Sequence, residues 1–336
     1  MSGGVDSSVA ASLMVERGHE VVGVTLKLWG GESDSGCCSV SDVDDARRVA
    51  QQLDIPFFVF NFTDDFDHLV VDPYVSAHAA GLTPNPCIEC NRHLKFDRLL
   101  ARARELGFDR LVTGHHAALV RRRGRLHLAR GADRAKDQSY VLHMLGSDEL
   151  GYCEFPLGSM TKAEVRERAA AAGLRTADKP DSQDVCFITR GQGRRDFLAG
   201  RIEMTPADVF DTSGKRVGHV DSIQSVTIGQ RRGLGLAGLP GRRFVTGIDH
   251  ARARITVGTT EELLSPGVPL SGLAWTSEPV RGPLAAQVSA HGRPRRVRAV
   301  SGDRLEWVTP QPRVAPGQAV VLYEGDVVVG GAAAAR

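Results

Sequence analysis

The chain has 336 residues, of which 42% are hydrophobic, and a formal net charge of +2. This length and composition allow a large buried core and favour two or three domains. The sequence has no apolar run of about 18 residues and no basic segment leading into an apolar core, so we expect a cytoplasmic protein without a membrane span or secretory signal. Six irregularly spaced cysteines do not suit a disulfide framework.

Helical patterns alternate with short apolar runs in the first half of the sequence. Helices are predicted at residues 5–16, 43–53 and 96–106, and strands at residues 21–28, 57–60 and 110–113. This alternation is typical of crossover units on a parallel sheet. Ligands of such sheets bind beyond the carboxyl ends of the strands, where Gly-rich turns lead into helices.

The second half, after about residue 200, consists of short β-branched runs separated by Gly and Pro. This pattern predicts a mostly β region with one small linking domain and one small barrel. The run of alanines at residues 332–335 is expected to be a frayed tail. The predicted strands are residues 216–220, 244–248, 254–257, 297–300, 305–308 and 319–323.

A Gly-rich heptamer, SGGVDSS at residues 2–8, opens the first predicted helix. A helix start offers backbone N–H groups and a partial positive charge to an anion, and Gly3 and Gly4 allow phosphates to approach closely. The three serines can donate hydroxyls, and Asp6 can help to hold Mg²⁺. The heptamer lacks the Gly-Lys-[Ser/Thr] ending of the P-loop, so we interpret it as a pyrophosphate cradle. The alternative is a Gly-rich helix cap without a ligand.

A C-x-x-C pair, Cys87 and Cys90, follows a turn punctuated by prolines and precedes a predicted helix. The helix end and the nearby Arg92 and Lys95 favour the thiolate form, which makes this pair a candidate for nucleophilic chemistry. A zinc half-site or a simple packed pair are the alternatives. Because there is no second C-x-x-C, a four-cysteine zinc site is disfavoured.

Six further segments occur in a characteristic order after the Gly-rich heptamer. Together they resemble the tRNA-specific 2-thiouridylase family, whose loop is the PP-loop of the N-type ATP pyrophosphatases, and the resemblance covers nearly the whole chain. The segments are TPNPCIECN at 83–91, TGHH at 113–116, KDQSY at 136–140, KPDSQDVCFI at 179–188, TIGQRRGLG at 227–235 and PGQ at 316–318.

The resemblance implies an α/β fold class with three domains. Residues 1–195 would form a PP-loop domain with a Rossmann-like parallel sheet, of the adenine nucleotide alpha hydrolase type. Residues 196–260 would form a small β-rich linking domain, and residues 261–336 a C-terminal β-barrel that contacts tRNA.

The resemblance also assigns roles to particular residues of this sequence. Cys90 takes the place of the family's nucleophile, and Cys186 that of its persulfide-carrying cysteine. The implied ATP contacts are Ser2, Gly3, Gly4, Val5, Asp6, Ser7, Ser8, Leu26 and Gly114. The implied tRNA contacts are Asn85, Pro86, Cys87, His115, Lys136, Asp137, Gln138 and Gln318.

The activity implied by the resemblance is that of a sulfurtransferase acting on tRNA. ATP, with Mg²⁺, would adenylate O2 of the wobble uridine in the anticodon loop, and sulfur from a persulfide would replace that oxygen, releasing AMP and pyrophosphate. A cysteine desulfurase or sulfur relay protein would supply the sulfur. The alternatives are another PP-loop tRNA-modifying enzyme, or a catalytically impaired, truncated tRNA-binding protein.

Two departures from the family pattern add hypotheses. Cys87 stands where many relatives carry Asp, so Cys87, Cys90 and Cys186 could together hold a [4Fe–4S] cluster, as an alternative to the persulfide route. Relatives also place an apolar strand before the loop, for which Met1 leaves no room; we expect a misplaced start or a truncated chain. Cys37, Cys38 and Cys153 match no family role and are expected to be ordinary thiols.

Overall fold

The computed structural model describes residues 1–28, 39–181, 185–188, 193–236 and 241–336. Cys37 and Cys38 lie outside the described residues. No helix in the described part of the chain is both long and apolar enough to cross a membrane. The chain forms two compact units, the first made of Met1–Asp72, Pro86–Gly191 and Asp326–Val329, the second of Pro73–Asn85, Gln192–Gly325 and Gly330–Arg336.

The first unit has the α/β character that the alternating pattern predicted. Its parallel strands form two pairs in the described residues, β1 with β2 and β3 with β6, and an antiparallel hairpin joins β4 to β5. Its strands are β1 (Gly23–Lys27), β2 (Phe57–Asn61), β3 (Leu111–Val112), β4 (Ala117–Arg122), β5 (Arg125–Arg130) and β6 (Cys153–Glu154). The helices are α1 (Val5–Glu16), α2 (Val40–Gln52), α3 (Thr63–Phe66), α5 (Pro86–Glu89), α6 (Leu100–Glu105), α7 (Ser147–Leu150) and α8 (Lys162–Ala171), while α4 (Asp72–Ala79) falls almost wholly in the second unit.

Helix α1, which starts at the Gly-rich loop, is held against α8 by a buried apolar cluster. Val9 is 1% exposed, and Val165 of α8 is fully buried in the same cluster. Burying an aliphatic side chain of this size contributes about 1.5–3 kcal/mol. Helix α8 begins at a capping box in which the Thr161 hydroxyl accepts from the Glu164 N–H. This packing places the first turn of α8 beside the loop.

The helix that carries the C-x-x-C pair begins earlier than predicted. It starts at Pro86, continues as a π-helical stretch, Cys90–Leu99, and ends as α6. A proline fits the first helical turn because its missing N–H would have no intrahelical partner there. The prediction of a start at residue 96 was wrong, because the wider π-helical turns do not give the period of an α-helix.

The second unit is mainly β-structure, as predicted. A four-stranded sheet, in the order β8-β7-β10-β9, surrounds an apolar core that includes Val209, Val245 and Ile255. A six-stranded barrel, in the order β11-β14-β13-β12-β15-β16, closes through pairing of β11 with β16. The strands are β7 (Ala207–Asp211), β8 (Arg216–Val220), β9 (Phe244–Asp249), β10 (Arg254–Gly258), β11 (Leu264–Trp275), β12 (Leu284–Gln287), β13 (Arg295–Ser301), β14 (Arg304–Pro312), β15 (Ala319–Glu324) and β16 (Val327–Ala334).

The alanine-rich end of the sequence is ordered, so the prediction of a frayed tail was wrong. Ala332 and Ala334 belong to β16 and are 8% and 3% exposed. Ala334 lies opposite Leu270 of β11, and its N–H donates to the Gln318 carbonyl at 2.8 Å. Small side chains suit a strand that closes a barrel, and composition alone does not reveal that pairing.

Helix α4 contains a buried histidine that makes the second unit sensitive to acid. His78 is 4% exposed and its ring centroid lies 4.5 Å from that of Tyr74. Burial, together with the positive charge of Arg194, lowers the pKa of His78 to about 4. The unfolded chain therefore binds the proton first as pH falls, so the contribution of His78 to stability is complete above about pH 6.5 and is lost as pH falls from there towards 4.

We expect the His78→Gln variant to lose less stability than the wild type when pH falls from 7 to 5. The histidine contributes at most about 3 kcal/mol to this dependence. Urea unfolding at both pH values measures the effect. The exposed His291→Gln variant serves as the control and should keep the wild-type difference. An unchanged pH dependence in His78→Gln would contradict the assignment.

Candidate functional site

The Gly-rich loop has the tight backbone that a phosphate cradle needs. Gly3 adopts φ +69°, and a Cβ there would lie 2.2 Å from the Asp42 carbonyl oxygen, so only glycine fits. Gly4 is the N-cap of α1. The Ser2 N–H donates to the Ser7 hydroxyl oxygen at 3.0 Å, and the fully buried Ser8 donates its hydroxyl to the Gly4 carbonyl at 2.9 Å. Ser8 therefore stabilises the loop from within, whereas Ser2 is exposed.

Asp6, at the start of α1, is held by two basic side chains. Lys162 Nζ of α8 lies 2.7 and 2.8 Å from its two carboxylate oxygens, and His116 Nε2 lies 3.3 Å from Oδ1. Burial raises the pKa of Asp6, but the hydrogen bonds from His116 and Lys162 outweigh it and lower the pKa overall. The loop thus carries an ionised carboxylate with an ammonium group directly beside it.

Gly114 closes the other side of the loop. It follows β3, and a Cβ at this position would lie 2.6 Å from the Asp6 carbonyl carbon and 2.7 Å from the Ser7 nitrogen. Leu26, which the resemblance also assigns to ATP, is half-buried on β1 opposite Phe60. The structure therefore brings Gly114 against the predicted phosphate loop, from a point more than 100 residues further along the chain.

We expect the Gly114→Ala variant to have a roughly tenfold to hundredfold lower kcat/KM for ATP in a pyrophosphate-release assay. The added methyl group must push backbone against backbone, and overpacking of this kind costs about 1–3 kcal/mol. Gly302→Ala is the matched control, since a Cβ at Gly302 meets nothing within 4 Å. Wild-type kinetics in Gly114→Ala would contradict a role of this close contact in the site.

The cysteines of the first unit differ in their surroundings. Cys87 is exposed in the first turn of α5, Cys90 is buried one turn later, and Cys186 is half-buried. Next to Cys186, the buried ring of Phe187 packs edge-on against Phe66 at a centroid distance of 5.6 Å. Cys153 is 4% exposed in β6, and burial raises its pKa to about 12, as expected of an ordinary core thiol.

The [4Fe–4S] hypothesis requires three cysteines arranged around one cluster. Among the described residues, which include Cys87, Cys90 and Cys186, no group of three or more His, Cys, Asp or Glu side chains is placed to hold a metal. The described residues therefore do not fit a [4Fe–4S] cluster at these three cysteines.

Several residues that the resemblance assigns to tRNA are buried in the first unit. Pro86 is buried, and so is His115, whose Nδ1 lies 2.8 Å from the Thr113 hydroxyl; burial and the charge of Lys95 keep the His115 pKa well below its usual value. The Asp137 side chain is 2% exposed and accepts from Arg130 Nε at 2.9 Å.

Two neighbours of Asp137 make different contacts. Gln138 Oε1 accepts from the His116 N–H at 2.9 Å, which links this segment to the histidine beside Asp6. Lys136 is 40% exposed and pairs with Asp181 at 2.8 Å. Of the segment Lys136, Asp137 and Gln138, the lysine is therefore the member best placed to meet a large substrate.

The second unit joins two other segments that the resemblance assigns to tRNA. Gln318 Nε2 donates to the Thr83 carbonyl at 3.1 Å, and the Thr83 N–H donates to the Pro316 carbonyl at 2.7 Å. Asn85, two residues further on, is half-buried. The turn before the C-x-x-C pair and the PGQ segment are thus one structural element, although they are more than 200 residues apart in the sequence.

Sequence reasoning missed three residues at the loop: Lys162, His116 and Asp181. His116 and Asp181 stand inside recognised segments without an assigned role, so their motifs were a partial signal. Lys162 lies 156 residues from Asp6, and only its place after a Thr-x-x-Glu capping signal indicated that it begins a helix.

Family models match the chain over three consecutive ranges. A tRNA methyl transferase HUP domain matches residues 1–190, a tRNA methyl transferase PRC-barrel domain matches residues 195–259, and an aminomethyltransferase β-barrel domain matches residues 275–334. The α/β unit with its Gly-rich loop and the β-structure that follows therefore define a HUP-domain protein with two appended β domains.

Relatives of nearly full length specify the family. The chain is 43% identical to the tRNA-specific 2-thiouridylase MnmA of Geobacter metallireducens, covering 98% of this chain and 94% of the relative. It is 45% identical to those of Moorella thermoacetica (98% and 97%) and Acidothermus cellulolyticus (100% and 96%). The chain belongs to the tRNA-specific 2-thiouridylase family.

Proposed function

We propose that this protein is a tRNA 2-thiouridine synthase, a sulfurtransferase that uses ATP to replace O2 of the wobble uridine by sulfur. One observation carries the proposal. The first unit combines a Gly-rich phosphate loop, closed by Gly114, with Cys90 and Cys186. The names of the full-length relatives give the substrate class.

The first step is activation of the uracil oxygen. O2 attacks the α-phosphorus of ATP, the bond to the bridging oxygen breaks, and pyrophosphate leaves. The N–H groups at the start of α1 bind the phosphates. Asp6 would help to hold Mg²⁺, which would supply positive charge next to the pyrophosphate leaving group. Lys162 adds a cation beside the loop, which contains none of its own.

The second step transfers sulfur. The terminal sulfur of a persulfide on Cys186 attacks C2 of the uracil, the C2–O2 bond breaks, and AMP leaves. The Cys90 thiolate then attacks Cys186 Sγ and breaks the S–S bond, so that the tRNA keeps the sulfur and a Cys90–Cys186 disulfide forms. An external thiol reduces this disulfide, and a cysteine desulfurase or sulfur relay protein restores the persulfide.

The tRNA offers its base from a single-stranded loop. The uracil has to leave its stack to meet both ATP and a persulfide, and unstacking costs least in an anticodon loop. The proposed contacts that remain at least partly accessible are Cys87, Lys136 and Gln138 in the first unit and Asn85 and Gln318 in the second.

The direct test incubates the purified protein with anticodon-loop tRNA, ATP, Mg²⁺ and a persulfide donor. We expect 2-thiouridine in the nuclease digest by mass spectrometry, together with pyrophosphate release that needs both ATP and tRNA. Pyrophosphate release with a different modified nucleoside would favour another PP-loop tRNA-modifying enzyme. Binding of tRNA without turnover would favour a binding protein, and either result would overturn the proposal.

A further inference from the structure

Ion pairs anchor Lys179 and Asp181, which precede Cys186 in the sequence. We call Lys179, Pro180 and Asp181 the KPD segment. Lys179 Nζ lies 2.6 Å from an Asp42 carboxylate oxygen and 2.7 Å from one of Asp45, both on α2. Burial lowers the pKa of Lys179, but the two carboxylates outweigh it and raise the pKa overall. One side of the segment is therefore fixed to α2.

The other side of the KPD segment is fixed through Asp181. Its carboxylate lies 2.8 Å from Lys136 Nζ, 2.9 Å from Lys162 Nζ and 2.9 Å from Arg166 Nη2. Burial raises its pKa, but the lysines outweigh this and lower the pKa to about 2, so the group is ionised at any physiological pH. Arg166 also donates to the Ala177 and Lys179 carbonyls at 2.6 and 3.1 Å.

Lys162 joins this anchor to the phosphate loop. Its side chain is only 12% exposed, and its ammonium group contacts Asp181 and, at 2.7 and 2.8 Å, both carboxylate oxygens of Asp6. A compact ammonium with three donors can serve both carboxylates at once. The position of the KPD segment is thus tied to the loop by one side chain.

Cys186 lies between two fixed points. Five residues before it in the sequence, the Asp181 carboxylate is held by ion pairs, and directly after it the buried Phe187 ring packs on Phe66. The ion pairs described at Asp181 join it to Lys136, Lys162 and Arg166, so we expect Asp181 to act on the Cys186 sulfur through the position of the chain.

We propose that Asp181 is a positioning residue that, through Lys162, aligns Cys186 with the phosphate loop. This rests on the proposed function of Cys186 as the persulfide carrier. An adenylated uridine is attacked by either the persulfide or water, and a displacement of about 1 Å can cost a reaction step about a hundredfold. The alignment therefore decides how much of the activated tRNA becomes 2-thiouridine.

The test is the coupling ratio, the amount of 2-thiouridine formed per pyrophosphate released under single-turnover conditions. We expect Asp181→Asn, which keeps the shape and removes the charge, to lower this ratio by about tenfold or more. Asp181→Glu should restore part of it. Glu16→Gln is the matched control, because Glu16 pairs with Arg168 of the same helix α8 at 3.0 Å but both groups are 52% exposed. A wild-type ratio in Asp181→Asn would overturn the proposal.

A second measurement does not depend on turnover. In the reduced protein, iodoacetamide should alkylate Cys186 at least about threefold faster in Asp181→Asn than in the wild type, with the rate at Cys90 unchanged. Equal alkylation rates at Cys186 in the two proteins would overturn the positioning role of Asp181, whether or not the wild type makes 2-thiouridine. Failure of the wild type to make 2-thiouridine would by itself refute only the proposed function. If Asp181→Asn does not fold, Arg166→Gln loosens the same segment and should show the same selective rise.

Discussion

Replacing Cys186 with serine is expected to lower 2-thiouridine formation by at least about a thousandfold, because the hydroxyl cannot carry a transferable sulfur. Pyrophosphate release that depends on tRNA should persist in this variant, since adenylation of O2 does not use the thiol. Cys153→Ala is the matched control, because Cys153 is a buried cysteine of the same unit with a raised pKa. Formation of 2-thiouridine by Cys186→Ser would refute the persulfide route.

Cys90→Ser separates the two halves of sulfur transfer. Without the Cys90 thiolate, the S–S bond between Cys186 and the uracil sulfur is not broken, so the tRNA should stay covalently attached to the protein. Denaturing gel electrophoresis without reductant should show this adduct, and dithiothreitol should release it. Product release at the wild-type rate would assign the second thiol role to another residue.

The Lys162→Met variant is expected to lose about a hundredfold in kcat/KM for ATP and to unfold at a lower temperature. The methionine side chain keeps most of the aliphatic stem of the lysine, but Asp6 and Asp181 lose the cation that contacts both of them. Removing one partner of a fully buried ion pair costs about 3–5 kcal/mol, and the loss in stability is expected to be smaller here because Asp6 keeps His116 and Asp181 keeps Lys136 and Arg166. Initial rates of tRNA-dependent pyrophosphate release and a thermal melt measure the two effects.

Arg168→Met is the matched control for this variant. Arg168 lies on the same helix, α8, and pairs with Glu16 at 3.0 Å, but the pair is half exposed and contributes at most about 1 kcal/mol. Lys162→Arg should recover part of the activity, because it restores the charge with a different geometry. A loss below about threefold in Lys162→Met would show that the loop does not depend on this ammonium group.

Short sequence patterns correctly predicted those helices and strands whose formation depends mainly on neighbouring residues. Gly3, Gly4 and the apolar run after them predict α1 at Val5–Glu16 with its observed bounds. The β-branched run at residues 216–220 likewise becomes β8 unchanged. Hydrophobic periodicity did not predict the start of the C-x-x-C helix, because a π-helical stretch alters the spacing of its apolar residues. It also did not predict the β4–β5 hairpin, whose strands flank a basic turn.

The sequence indicated most of the residues of the candidate site but not which of them contact one another. The motifs indicated the loop, Gly114 and both proposed catalytic cysteines. No spacing rule, however, relates Lys162 to Asp6, or Gln318 to Thr83, because such contacts arise only when distant segments pack. Residue type also misleads about exposure, since His115 and Asp137 look like substrate contacts in the sequence and are buried in the structure.

The buried carboxylate of Asp137 has an evolutionary consequence. Besides Arg130, it accepts from the Gly131 N–H at 3.0 Å and from the Ser139 hydroxyl at 3.0 Å, so it organises the turn that presents Lys136. On the proposed function, selection on folding would retain Asp137 even in a descendant that had stopped modifying RNA, whereas Lys136 would then be constrained only through its ion pair with Asp181. If Lys136 contacts tRNA as proposed, the lysine is the better marker of a descendant that still modifies RNA.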